Sequence, residues 1–159
     1  MPDPGRSGDA ASVGGSARAL RRTPCVGVCS TTYGDLVCRG CKRYAHEIVD
    51  WNGYSDDQRE RVWTRLNALL TDSVRAHIDV VDEGKLRAVA TRLKLHGAAE
   101  LPPEVLAFRT LRTRAVPPEA LGLHTRHARH SSVDTARAID TEFYVRSRAR
   151  YEASFKTLT

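Results

Sequence analysis

Beyond residue 43 the chain carries apolar residues at helical spacing, whereas the stretch before it shows no such period. "YAHEIVDW" places Tyr44, Ile48 and Trp51 four and then three residues apart, on one face of a short helix. "NGYS" interrupts it, with Gly53 supplying the turn. Ser55, with Gln58 three residues on, has the spacing of a capping box. The helix it opens carries Val62, Leu66, Leu69 and Leu70 on one stripe, with Trp63 beside it. Trp51 and Trp63 are read as packing between these two helices. "HIDVVDEGKLRAVATRLKLHG" holds a short apolar run, Ile78 to Val81, then a helix ending before Gly97. "LPPEVLAFRTLRTRA" starts another, with Pro103 in the first turn, where a missing N–H is not needed. "VPPEALGL" repeats that opening on a smaller scale. A last helix is expected from "SSVD", capped by Ser131 and Asp134, with Val133, Ile139, Phe143 and Phe155 as a partial apolar face to about Leu158. The expected class is mostly α.

Residues 1–22 are rich in Gly, Ser, Ala and Asp without hydrophobic periodicity, and are expected to form a disordered tail. A transit peptide is the alternative, against which Asp3 and Asp9 count. Between tail and first helix lies "TPCVGVCSTTYGDLVCRGCKRY", a loop-rich stretch holding all four cysteines of the chain. The expected organisation is a tail over 1–22, a cysteine module with two helices over 23–72, and a helical extension over 73–159.

The cysteines, Cys25, Cys29, Cys38 and Cys41, read C-x3-C-x8-C-x2-C. Two disulfides would suit an exported chain, but nothing in the sequence points to export. Unrelated buried thiols would be scattered, not bunched in pairs. Four thiolates converging on one metal ion or cluster account for the pattern best. Each close pair can wrap one metal atom, and "STTYGDLV" is long enough to bring the second pair back. Gly27 and Gly40 sit inside the pairs and relax the tight turns, so that backbone N–H groups can face sulfur. Four thiolates on a divalent ion leave a net charge of about −2, which Arg39, Lys42 and Arg43 would offset. Spacing alone leaves zinc and an iron–sulfur cluster even.

Composition narrows the function further. No stretch approaches the ~18 consecutive apolar residues of a membrane span. The N-terminus lacks the apolar centre of a secretory signal, so the chain is expected in the cytoplasm without a membrane partner. A formal net charge of +6, with Arg146, Arg148 and Arg150 crowded near the end, allows weak nucleic-acid binding, although a solvated helix face is the default reading of such a run. "HTRHARH" sets His124, His127 and His130 three apart, but no carboxylate or cysteine stands at a supporting spacing, and an exposed basic segment is the preferred reading. His46 is read as a residue beside the cysteine site or on the surface, and His77 and His96 as ordinary helix residues. No G-x-S-x-G, Walker loop, dinucleotide fingerprint or H-E-x-x-H is present, and "CRGC" lacks the β-α-β context of a dithiol enzyme, so catalysis is not supported.

Four blocks, "PCVGVC", "CRGCKR", "EIVDW" and "SDDQRERV", occur in order with small gaps. Over residues 24 to about 66 they resemble the bacterial domain-of-unknown-function family 1289. Its pattern runs P-C-x-G-V-C, C-x-G-C-x-R-T, E-I-x-x-W and S-x-x-[EQ]-R, and its members are described as predicted iron–sulfur proteins. Tyr44 departs from that pattern, standing where the family has Thr. The resemblance implies Cys25, Cys29, Cys38 and Cys41 as the ligand set and tilts the centre from zinc toward iron–sulfur. The expected function is a small metal- or cluster-binding accessory protein with an unidentified protein partner, its site structural or redox-sensing. The alternatives are a zinc-ribbon-like module using the Arg-rich C-terminal region on nucleic acid, and a redox enzyme using Cys38 and Cys41 as a dithiol.

Overall fold

Side-chain caps set the starts of the long helices. The computed structural model describes residues 23–113, 116–127 and 131–156, so the expected tail, His130 and Leu158 lie outside the described residues. Helix α1 spans Ala45–Asp50 and runs into a 3-10 turn at Trp51–Gly53. Helix α2 spans Asp56–Arg75 and opens on the expected box: Gln58 N–H donates to Ser55 Oγ at 3.3 Å, and Ser55 N–H to Gln58 Oε1 at 2.8 Å. Helix α3, Glu83–Arg92, begins where Asp82 accepts from Lys85 N–H at 2.9 Å. Helix α4, Pro103–Thr113, starts at its proline. Helix α5, Ser132–Phe155, starts where Ser131 Oγ accepts from Asp134 N–H at 3.1 Å.

The apolar run at 78 is a strand. β1 (Ile78–Val80) pairs antiparallel with β2 (Leu123–Thr125), in the register Ile78 to Thr125, Asp79 to His124 and Val80 to Leu123. His124 therefore sits on a strand, so the histidine series does not share a helical face. The "VPPEALGL" segment forms a 3-10 turn at Pro118–Leu121 leading into β2.

Helix α2 packs against α4 and α5, which also pack on each other, and α3 lies against α4. The core between them includes Trp51, Leu66, Val74, Leu106, Phe108 and Ile139, with Trp63 partly buried against it. Burying each such large side chain contributes roughly 1.5–3 kcal/mol. On α5 the expected apolar face is incomplete. Val133 and Phe155 are exposed, whereas Ser132, Thr135 and Ser147 are buried with Ile139 and Phe143. Among the described residues no helix is long and apolar enough to cross a membrane.

Candidate metal centre

The first cysteine pair lies on an open loop. Gly27 takes φ 94, a conformation that strains any residue with a Cβ, and its N–H donates to Cys25 Sγ at 3.4 Å. Cys25 is exposed. Half-buried Cys29 precedes a 3-10 turn at Ser30–Tyr33, with its Sγ 2.9 Å from Thr31 Oγ1.

The second pair sits in a closed turn. An antiparallel bridge between Val37 and Tyr44 seals its base. Inside it Cys38 N–H donates to Arg43 O and Lys42 N–H to Cys38 O, both at 2.9 Å. The turn requires φ 64 at Lys42, which is uncommon for a non-glycine residue. Cys38 and Cys41 are both buried. Arg39 N–H ties the turn to the first loop through Ser30 Oγ at 2.8 Å.

The two loops lie on each other at Gly40. A Cβ built there would stand 2.7 Å from both Val26 Cγ2 and Val28 O, and 3.7 Å from Cys38 Sγ, so only glycine permits this approach. In the same place Cys38 S–H donates to Val28 O at 3.6 Å.

The electrostatics favour an anionic sulfur at Cys38. Burial opposes its ionisation, but the backbone N–H groups of Cys41, Ser30 and Gly40, with the Cys41 side chain, outweigh it and bring the thiol from 9.0 to about 7. At Cys41 burial dominates and pushes the thiol up, against the Arg43 Nε–H that donates to its sulfur at 3.3 Å. Lys42 and Arg43 are buried beside the turn, whereas Arg39 is largely exposed and paired with Asp35. Of the three cations expected to offset thiolate charge, two stand inside.

Cys38 and Cys41 are thus brought together, and the loop of Cys25 and Cys29 is laid against them. Among the described residues no three His, Cys, Asp or Glu side chains stand grouped for metal coordination, and Cys25 and Cys29 take local hydrogen bonds instead. None of the four cysteines is in a disulfide. The chemistry of the donor set fits a thiolate-held group: reduced sulfur, convergent N–H donors, buried cations and a glycine cradle.

Residues of the later blocks support the turn. The Arg43 guanidinium lies 4.8 Å from the Trp51 ring centroid, and Arg59 donates through Nε and Nη2 to Trp51 O, each at 3.1 Å. Glu47 is buried and takes both terminal nitrogens of Arg65, the Oε2–Nη2 bond being 2.7 Å. Glu47 Oε2 also accepts from Tyr44 N–H at 2.9 Å. Tyr44 itself provides no side-chain cap to α1, and its buried hydroxyl finds no hydrogen-bond partner among the described residues. Exposed His46 packs its ring against Tyr44 and Phe155. The Glu47–Arg65 pair was missed from sequence because its members lie 18 residues apart on different helices. The one available signal was Glu47 in the block "EIVDW".

Residues 23–70 match the family described as protein of unknown function (DUF1289). Neither the curated proteins nor the solved structures gave a match to the chain.

Proposed function

Taking residues 23–70 as a member of the DUF1289 family, we propose that this chain is a small metal- or iron–sulfur-cluster-binding accessory protein. Cys25, Cys29, Cys38 and Cys41 would hold the group. The observation that carries this reading is the Cys38 sulfur, buried, faced by three backbone N–H groups and overlaid by the first loop at Gly40. When bound, the group supplies a cross-link among thiolates, and an iron–sulfur cluster adds a one-electron couple. The family resemblance favours iron–sulfur, with zinc as the other outcome.

The role proposed is structural first, with redox sensing built on it. Among the described residues the continuous apolar core begins at Trp51, and the buried Val37 and Tyr44 stand apart from it. Thiolate coordination would add a cross-link to the polar ties of Arg43 and Glu47 that hold the cysteine segment. The nucleic-acid alternative finds less support. Of the crowded arginines, Arg146 and Arg148 are engaged by Glu142 and Glu152 at 2.8 and 3.3 Å.

Thiol labelling tests the ligand set. Anaerobically purified protein is treated with a maleimide before and after metal removal, and adducts are counted by mass. All four cysteines should be protected before removal and all four reactive after it. Labelling of Cys25 and Cys29 in metal-loaded protein would restrict the ligands to the second pair and defeat the four-cysteine assignment.

A further inference from the structure

Helix α5 has two anchors of different kinds. Its first half is set in the core through Thr135, Ala136 and Ile139, all buried. From Asp140 onward it rests on the cysteine turn. The Lys42 Nζ donates to Gly40 O at 3.0 Å and to Asp140 Oδ1, and lies 5.2 Å from the Phe143 ring centroid. Arg39 lies over the Tyr144 ring at 4.7 Å. Tyr44 meets Tyr151 and Phe155 edge-on at 5.1 and 5.8 Å. The positions 140, 144, 151 and 155 recur at intervals of four and seven, so the turn grips one face of the helix.

Lys42 is the centre of this contact. Its side chain is 1% exposed, and the residue adopts a left-handed backbone within the turn that presents Cys38 and Cys41. An apolar side chain would dock a helix without burying a charge. On the metal-binding reading, a buried ammonium within the turn of Cys38 and Cys41 would also help to offset thiolate charge. The same cation is held by the carboxylate of Asp140, 98 residues away in sequence.

We infer that the Lys42–Asp140 pair couples the state of the cysteine centre to the docking of the second half of α5. This rests on the metal-binding reading above and extends it. Losing the centre loosens the turn, and with it the helix from Tyr144 onward, while the half set in the core stays. Linkage requires the reverse as well: removing the Asp140 carboxylate weakens retention of the metal, although Asp140 is not a ligand.

The test uses the full chain purified without oxygen. Amide hydrogen exchange is followed before and after metal removal, and metal release into EDTA is timed by elemental analysis for wild type, Asp140→Asn and Asp140→Glu. Exchange over 144–155 should rise about tenfold on metal removal, with 132–139 changing little. Asp140→Asn should release metal about tenfold faster than wild type, and Asp140→Glu should restore most of the retention. Asp140→Asn leaves the buried Lys42 ammonium without its carboxylate, so circular dichroism first verifies that the variants fold, and Asp140→Glu keeps the charge. Bound metal with wild-type release from Asp140→Asn, and no metal dependence over 144–155, would overturn the coupling and leave the metal reading intact. A chain holding no metal overturns both.

Discussion

Arg43 joins Cys41 to Trp51, donating Nε–H to Sγ at 3.3 Å while its guanidinium lies 4.8 Å from the indole centroid. One planar cation thus links the second cysteine pair to the first residue of the apolar core. Lysine cannot reproduce both contacts, because its ammonium is a compact point charge. Arg43→Lys should lower stability by about 1.5–3 kcal/mol, the range for a lost hydrogen bond to a charged group. It should also speed metal loss, with the helical circular dichroism of α2 unchanged. Urea titration and timed metal release check the two effects.

Glu47 and Arg65 form a two-pronged ion pair between α1 and α2, with side chains 6% and 17% exposed. Removing one partner strands the other, so Glu47→Ala should cost about 3–5 kcal/mol. Replacing both together should cost less than the two single losses added. A double-mutant cycle in urea measures this. Strict additivity would mean that the pair is not coupled.

Gly40→Ala separates loop contact from helix stability. The new methyl would meet Val26 Cγ2 and Val28 O at 2.7 Å, forcing the first loop off the second. Metal content should fall severalfold while α2 to α5 keep their helical signal. Gly53→Ala is the control, since a Cβ there meets nothing within 4 Å among the described residues. Its stability should stay within about 0.5 kcal/mol of wild type.

In reduced, metal-free protein the Cys38 thiol ionises at about 7 when folded and near 9.0 when unfolded. Unfolding then takes up a proton between these values, so stability should rise with pH across that window and lose the increment as pH falls through 7. The Cys41 thiol, pushed up by burial, acts in the opposite direction above the window. Urea midpoints at a series of pH values should show the rise in wild type and not in Cys38→Ser. Parallel profiles for the two proteins would show that the N–H groups around Cys38 do not stabilise its thiolate.

The parts of the fold legible in the sequence are those set by local chemistry. Ser55 with Gln58, Pro103, and Ser131 with Asp134 mark helix starts because a cap needs only neighbours within one turn. The sheet was not legible, since each strand has three residues and its partner lies about 45 positions away. On α5 the apolar pattern misled at Val133 and Phe155, because hydroxyl residues such as Ser147 face the interior there. The cysteine pairs and their glycines were legible as a candidate site. Lys42 was legible as a charge beside them, but not its partner Asp140, which only the packing of α5 brings near.

The most direct measurement is the iron and zinc content of anaerobically purified full-length protein, read together with its visible absorption. One centre per chain is expected: iron with charge-transfer bands between sulfur and metal, or stoichiometric zinc in a colourless protein. A folded, reduced chain carrying neither metal would contradict it.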